Sequence, residues 1–217
     1  MPPEDIASAA RIRKVRSFID FAANLQSKLC DPLEVTDIEV LIADTGHYIQ
    51  QIHHATQPGS SGPLPSNLAK DAERHGGNLW NLCNTKLIAK ARFFAFNMLE
   101  LGRSAGRTKK DDTSEAVDLM NLALELAKYC MAVSDLDSAR LALQKAAELM
   151  ERLKTTPVES LDSIRANERM KLDAEYLAMR TAMLESLGKK IGLTLQSTCL
   201  EKLTFFDRRL MLALQRS

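Results

Sequence analysis

Apolar residues along this chain fall at steps of three and four, the period of a helix with one buried face. From Glu4 to about Leu29 the stripe is Val15, Phe18, Ile19, Ala22, Leu25 and Leu29, and Pro32 closes it. From Leu33 to about Ala55 it continues as Ile38, Leu41, Ile42, Tyr48, Ile49 and Ile52. Gln57-Pro58-Gly59-Ser60-Ser61-Gly62-Pro63-Leu64-Pro65 then breaks the pattern, because clustered Pro and Gly hold neither helix nor strand. Ser66 stands where an N-cap is wanted, before a helix with Leu68, Ala72, Leu79, Trp80 and Leu82. Within it, His75-Gly76-Gly77 predicts an interruption or a close approach of another element. The next helix runs from Lys86 to about Leu101, and a polar turn covers Gly102 to Asp112. A fifth helix restarts at Thr113-Ser114-Glu115 and ends at Val133. Ser134-Asp135 makes a tight break, and Leu136 to Leu153 follows. A long helix is expected over Leu161 to Leu187, a turn between Gly188 and Gly192, and a last helix over Leu193 to Gln215. The pattern therefore predicts an all-α chain of about eight helices with mostly short connections.

Residues 1–56 read as an N-terminal helical pair, 57–65 as a loop, and 66–217 as stacked helical repeats in one continuous solenoid. The clearest repeat is 119–150. It carries Ala123, Ala127 and Cys130 before the turn, then Ala139, Leu143 and Ala146. The spacing of Ala127 and Ala139 puts both on the facing sides of two antiparallel helices. Small side chains there let the helices cross closely. This segment resembles the tetratricopeptide repeat, with Cys130 where an aromatic is usual and without the closing Pro. An ordinary helical hairpin is the alternative. The implied architecture is antiparallel helix pairs stacked as a right-handed superhelix.

Composition narrows the function. The apolar residues, 45% of the chain, are mostly Leu, Ala and Met, the strong helix formers, and aromatics are 5%. A net charge of +1 supplies no field to attract nucleic acid or anionic membrane. The basic cluster Arg11, Arg13, Lys14 and Arg16 is spread round its helix and reads as a solvated face. Cys30, Cys83, Cys130 and Cys199 are far apart, without the paired spacing of a zinc knuckle or disulfide framework. They fit small buried hydrophobes in a reducing compartment. No secretory signal or membrane-spanning segment is visible, so a soluble protein is expected.

His47, His53, His54 and His75 lack further ligands at metal-site spacing, so no metal is expected. For nucleophilic catalysis Cys83 or Cys130 could pair with a distant His, but both lie in helical runs rather than on a strand-to-helix elbow. The Gly59 to Gly62 stretch lacks the lysine of a phosphate loop. No cofactor, small-molecule substrate or catalytic residue is predicted, and Trp80 reads as core. What remains is a binding surface. In the repeat register the fifth helix turns Asn121, Leu124, Lys128 and Met131 toward the concave side, where solenoids usually bind partners. Alternatively, Leu124 and Met131 touch a neighbouring helix and Lys128 is solvated. Leu124 also stands where the chaperone-binding type of repeat wants a cation, which disfavours that role.

A second resemblance rests on Gly77, Leu79, Trp80 and Asn81, followed by Ala91, Arg92, Phe93, Ala95, Phe96 and Leu99. A glycine before Leu-Trp-Asn, then Ala-Arg-Phe-x-Ala-Phe-x-x-Leu, resembles the meiotic tetratricopeptide scaffolds called Zip-four or Spo-twenty-two in fungi and testis-expressed protein eleven in mammals. The likeness covers about Leu33 to Leu153, and most clearly Gly76 to Ala146. Members are much longer, so the chain looks like an N-terminal portion, a truncated product or a shortened paralogue. The resemblance implies a nuclear, chromosome-associated scaffold that holds recombination and synapsis factors in reciprocal meiotic recombination and crossover formation. Two other readings remain: a tetratricopeptide adaptor unrelated to meiosis, and a helical enzyme with an unrecognised site.

Overall fold

The computed structural model describes residues 3–30, 35–56, 64–84, 88–104, 112–154 and 163–214, with side chains over 8–30, 37–52, 64–84, 88–103, 114–154 and 166–191. These residues form seven helices: α1 Pro3–Cys30, α2 Val35–Thr56, α3 Ser66–Cys83, α4 Ala89–Ser104, α5 Asp112–Ala132, α6 Leu136–Lys154 and α7 Ser163–Leu214. Among the described residues there is no strand. Most of the loop expected over 57–65, and most of the turn expected after Gly102, lie outside the described residues.

α4 is the centre of the molecule. Every residue from Ala91 to Gly102 is buried, as befits a helix that is apolar nearly all round. α3 lies against it as the first hairpin, and α2 covers another side. α1 packs on α3, and α5 packs on α4 and pairs with α6. α7 lies across both α5 and α6. α1 and α2 touch each other less than each touches the α3–α4 hairpin, so that hairpin holds the N-terminal helices together.

Stripe positions explain each choice of face. In α1, Val15, Phe18, Ala22, Leu25 and Leu29 are buried at alternating steps of three and four. Phe21 of α1 stacks on Tyr48 of α2, with ring centroids 3.9 Å apart, and meets Phe94 of α4 edge-on at 5.2 Å. Such aromatic pairs are favourable beyond their buried area. Gln26 Nε2 also donates to the His75 carbonyl at 2.9 Å, tying α1 to α3. The buried Thr45 hydroxyl donates to the Leu41 carbonyl at 2.6 Å, which satisfies it within α2.

Three details differ from the sequence expectation. Ser66 is the first helical residue rather than the cap. Pro65 holds the cap position, and no side chain caps that end. Gly102 lies in the last turn of α4, not in a turn after it. Gly188 and Gly192 do not break the chain, because α7 continues through both. The expected seventh and eighth helices are therefore one. A glycine lowers helix propensity by only about 1 kcal/mol, which long flanking helix absorbs.

The α3–α4 hairpin closes on glycine. A Cβ on Gly76 would lie 2.9 Å from the Leu99 backbone nitrogen, and one on Gly102 would lie 2.6 Å from that of Glu73. Gly77, the motif glycine, has nothing within 4 Å of that position. The close approach expected around His75-Gly76-Gly77 is thus made by Gly76. The α5–α6 hairpin closes on small side chains instead: Ala123, Ala127, Ala139, Ala142 and Ala146 are all fully buried. Its turn is chemically specific. Ser134 adopts φ 61°, its amide donates to the Met131 carbonyl at 3.1 Å, and that of Asp135 donates to the Cys130 carbonyl at 2.9 Å. This is a Schellman ending with serine in the left-handed position that glycine usually fills. Asp135 Oδ1 then accepts from the Ser138 amide at 3.0 Å, and Oδ2 from its hydroxyl at 2.8 Å, capping α6.

Candidate protein-docking site

The predicted groove on α5 is occupied by the chain itself. Leu124 is fully buried, Met131 is half-buried against the core, and Asn121 and Lys128 are exposed. Lys128 forms an ion pair with Glu175 of α7. Because α7 lies along α5, this face is an internal contact, and Leu124 cannot present apolar area to a partner. A cavity of about 260 Å³ remains between the two helices. Polar Asp118, Asn121, Glu168, Lys171 and Glu175 dominate its lining, and the rest is Val117 and Leu172. The register of small residues made the surface look free because periodicity marks which residues face inward, not which later helix covers them.

The structural motif positions fall in and around the core. Leu79, Ala127, Ala139, Leu143 and Ala146 are buried, Trp80 is 7% exposed, Gly77 is half-buried and Asn81 is exposed. Trp80 does more than fill space. The Arg92 guanidinium sits 4.3 Å over its ring and 4.6 Å from the ring centre of Tyr129. One cation thus joins α3, α4 and α5. Desolvated pairs of this kind contribute about 2 kcal/mol. An arginine inside so apolar a helix was the signal available in the sequence.

An open groove does exist, on a different face. α2 and α6 form its walls, and α4 forms its floor. It holds about 120 Å³ and is lined by Ile49, Gln50, Phe93, Leu141, Gln144, Lys145 and Glu148. Leu141 is 37% exposed at its rim. Lys145 is almost wholly buried, and its Nζ donates to Glu100 Oε1 at 3.2 Å and lies 3.1 Å from Oε2. Glu148 Oε2 is 3.4 Å from the same nitrogen. Two carboxylates, the buried Glu100 and the exposed Glu148, thus stand against one ammonium. Asn97 lies four residues after Phe93 and three before Glu100, hence on the same face of α4. It is fully buried, and both its amide atoms lack a hydrogen-bond partner. Leaving such groups unpaired is costly, so this face of α4 carries polar groups at the expense of stability.

Among the described residues, Cys83 and Cys130 both lie within electrostatic reach of Arg92 and Tyr129, but neither thiol is activated. Burial pushes the Cys83 thiol up to about 12, although Arg92 opposes the shift. Burial, reinforced by Asp135, likewise raises Cys130 to about 12. Both therefore stay protonated and poorly nucleophilic at neutral pH. Cys30 is exposed. His47 is exposed beside Gln51, and His75 is half-buried. The side chains of His53, His54 and Cys199 lie outside the described ones. Among the described residues, no three His, Cys, Asp or Glu come close enough to hold a metal. Of the basic cluster, Arg13, Lys14 and Arg16 are exposed and Arg11 is half-buried. Among the described residues, no helix is long and apolar enough to cross a membrane. Compared with protein-family models, with curated proteins and with solved structures, the chain matches none of them.

Proposed function

We propose that this chain is a non-catalytic protein–protein scaffold that receives a partner segment in the groove between α2, α4 and α6. The observation that carries this is the groove itself: apolar walls, the partly exposed Leu141 at the rim, and the buried Lys145–Glu100 ion pair with the exposed Glu148 carboxylate beside it. An interface centre with apolar contact round a few fixed polar groups has this composition. The fitting partner presents an apolar anchor flanked by a basic residue. On the likeness of Gly76 to Ala146 to the Zip-four, Spo-twenty-two and testis-expressed protein eleven scaffolds, the setting is meiotic crossover formation on nuclear chromosomes. The partners are then recombination and synapsis factors, and the helix pairs are repeats of a tetratricopeptide-like right-handed superhelix. The packing of α3 on α4 and of α5 on α6 supports that reading, as does the placement of Trp80, Arg92 and Phe93 at the joint between the two hairpins.

The test is Leu141→Glu, which replaces apolar area on the rim with a carboxylate near that of Glu148. Circular dichroism should be unchanged, since Leu141 is exposed and Glu is a good helix former. Co-precipitation with meiotic recombination and synapsis factors should fall at least tenfold, the loss expected at an interface hot spot. Full recovery of those factors by the variant would put binding elsewhere. Absence of the native chain from meiotic chromosomes would remove the meiotic setting and leave a general adaptor.

A further inference from the structure

α7 is two-sided. Leu172, Tyr176, Met179 and Met183 are buried toward α5 and α6. On the opposite side Met170, Leu177, Leu184 and Ile191 are 64%, 59%, 60% and 59% exposed. These four residues are spaced by seven. Four positions after each of the first three come Ala174, Thr181 and Gly188, all exposed. Alternating steps of four and three make a single seam, the repeat by which two helices wrap round one another. At 1.5 Å per residue the seam is about 30 Å long. A continuous apolar stripe of this kind marks an interaction surface. Gly188 points the same way. Glycine inside a helix is unfavourable relative to alanine, and nothing among the described residues lies within 4 Å of where its Cβ would be. No contact among the described residues requires it.

We propose that this seam is a dimerisation surface on which the α7 of a second copy packs antiparallel. Large and small residues alternate along the seam. Antiparallel pairing therefore sets Met170 against the partner's Gly188, Leu177 against the partner's Thr181, and Leu184 against the partner's Ala174. Each layer joins one large side chain to one small one, which fills space evenly and lets the axes approach closely. Parallel pairing would set leucine on leucine and glycine on glycine, alternately crowded and empty. Charge accommodates the antiparallel choice without selecting it, since parallel helices would pair Arg180 with the partner's Glu185, so the packing of large on small decides the direction. On one flank Lys171 comes opposite the partner's Glu185, and two-fold symmetry makes that pair twice. On the other flank Arg180 meets the partner's Arg180 near the axis, a repulsion that solvent screens because the side chain is exposed. The seven seam residues of two copies bury on the order of 1,000 Å² in all, about the least that a specific interface needs. The dimer is accordingly a micromolar one, and it leaves the groove on α2, α4 and α6 free.

Sedimentation equilibrium on the full chain tests this. The expected result is twice the chain mass at about 100 µM, falling to one on dilution through the micromolar range. Leu177→Glu with Leu184→Glu should give a monomer with unchanged circular dichroism, since both residues are already exposed in the protomer. Lys171→Glu should weaken the dimer about tenfold, and adding Glu185→Lys should restore it, because two symmetric pairs are broken and then remade. A wild-type monomer at about 100 µM overturns the proposal, even if the seam then binds another protein. A dimer that survives the double glutamate variant also overturns it. A dimer loosened by Arg180→Glu but not by Lys171→Glu overturns the antiparallel arrangement, since parallel helices would pair Arg180 with the partner's Glu185.

Discussion

In the α3–α4 hairpin the helices approach until backbone meets backbone, with Gly76 against Leu99 and Gly102 against Glu73. In the α5–α6 hairpin a layer of alanines, Ala127 and Ala139 among them, stands between the axes. The connectivity is the same, and the difference lies in how much volume each crossing tolerates. A glycine crossing has no slack, because its neighbours are backbone atoms that cannot rotate away. An alanine crossing is bounded by side chains, which can shift. The hairpins also meet each other differently on two sides. Arg92 joins them through the Trp80 and Tyr129 rings, and the Lys145–Glu100 pair joins α6 to α4.

The largest effect is expected at that second joint. Lys145→Ala leaves the Glu100 carboxylate buried without its cation and should cost about 3–5 kcal/mol, read from urea denaturation. Combining Lys145→Met with Glu100→Leu should recover most of the loss, since a matched apolar pair needs no desolvated charge. If the single variant unfolds no earlier than wild type, the pair does not join the hairpins.

Next come the crossings. Gly102→Ala should cost about 3 kcal/mol, because the added methyl lies within 2.7 Å of backbone atoms of Ala69 and Glu73. Ala139→Leu adds a much larger group to the alanine crossing and should cost about 1–3 kcal/mol. One added methyl in the first hairpin is thus expected to match an added isopropyl group in the second. Gly77→Ala serves as the control. With open space around it, that change should stabilise α3 by about 0.5–1 kcal/mol. Equal and small losses at Gly102 and Ala139 in thermal melts would erase the distinction between the hairpins.

The smallest effect belongs to the α5–α6 turn. Ser134 is left-handed, a conformation that disfavours a side chain. Ser134→Gly should stabilise by about 0.5–1 kcal/mol while Asp135 keeps its cap on Ser138. A lower melting temperature would mean that the serine side chain supports the turn.

Much of the fold was legible because it is local. Val15, Phe18, Ala22, Leu25 and Leu29 announce a helix and its buried face with no knowledge of the rest of the chain. The break at Ser134-Asp135, and the small residues of α5 and α6, were readable in the same way. The candidate site was not. Leu124 obeys the helical period as well as Leu177 does, yet the first is sealed under its neighbours and the second is open to solvent. Glycine shows the same limit, since Gly76 and Gly77 are adjacent in sequence and only one touches another backbone. The groove needed α2 and α6, about a hundred residues apart in sequence, to stand on either side of α4. By itself the sequence determined that the chain is helical, where most helices begin and end, and which side of each is apolar, because these follow from spacing along one backbone. Tertiary structure alone decided which apolar sides are covered, which glycine closes a crossing and where an open groove remains, because each depends on the distance between segments that the sequence does not place side by side.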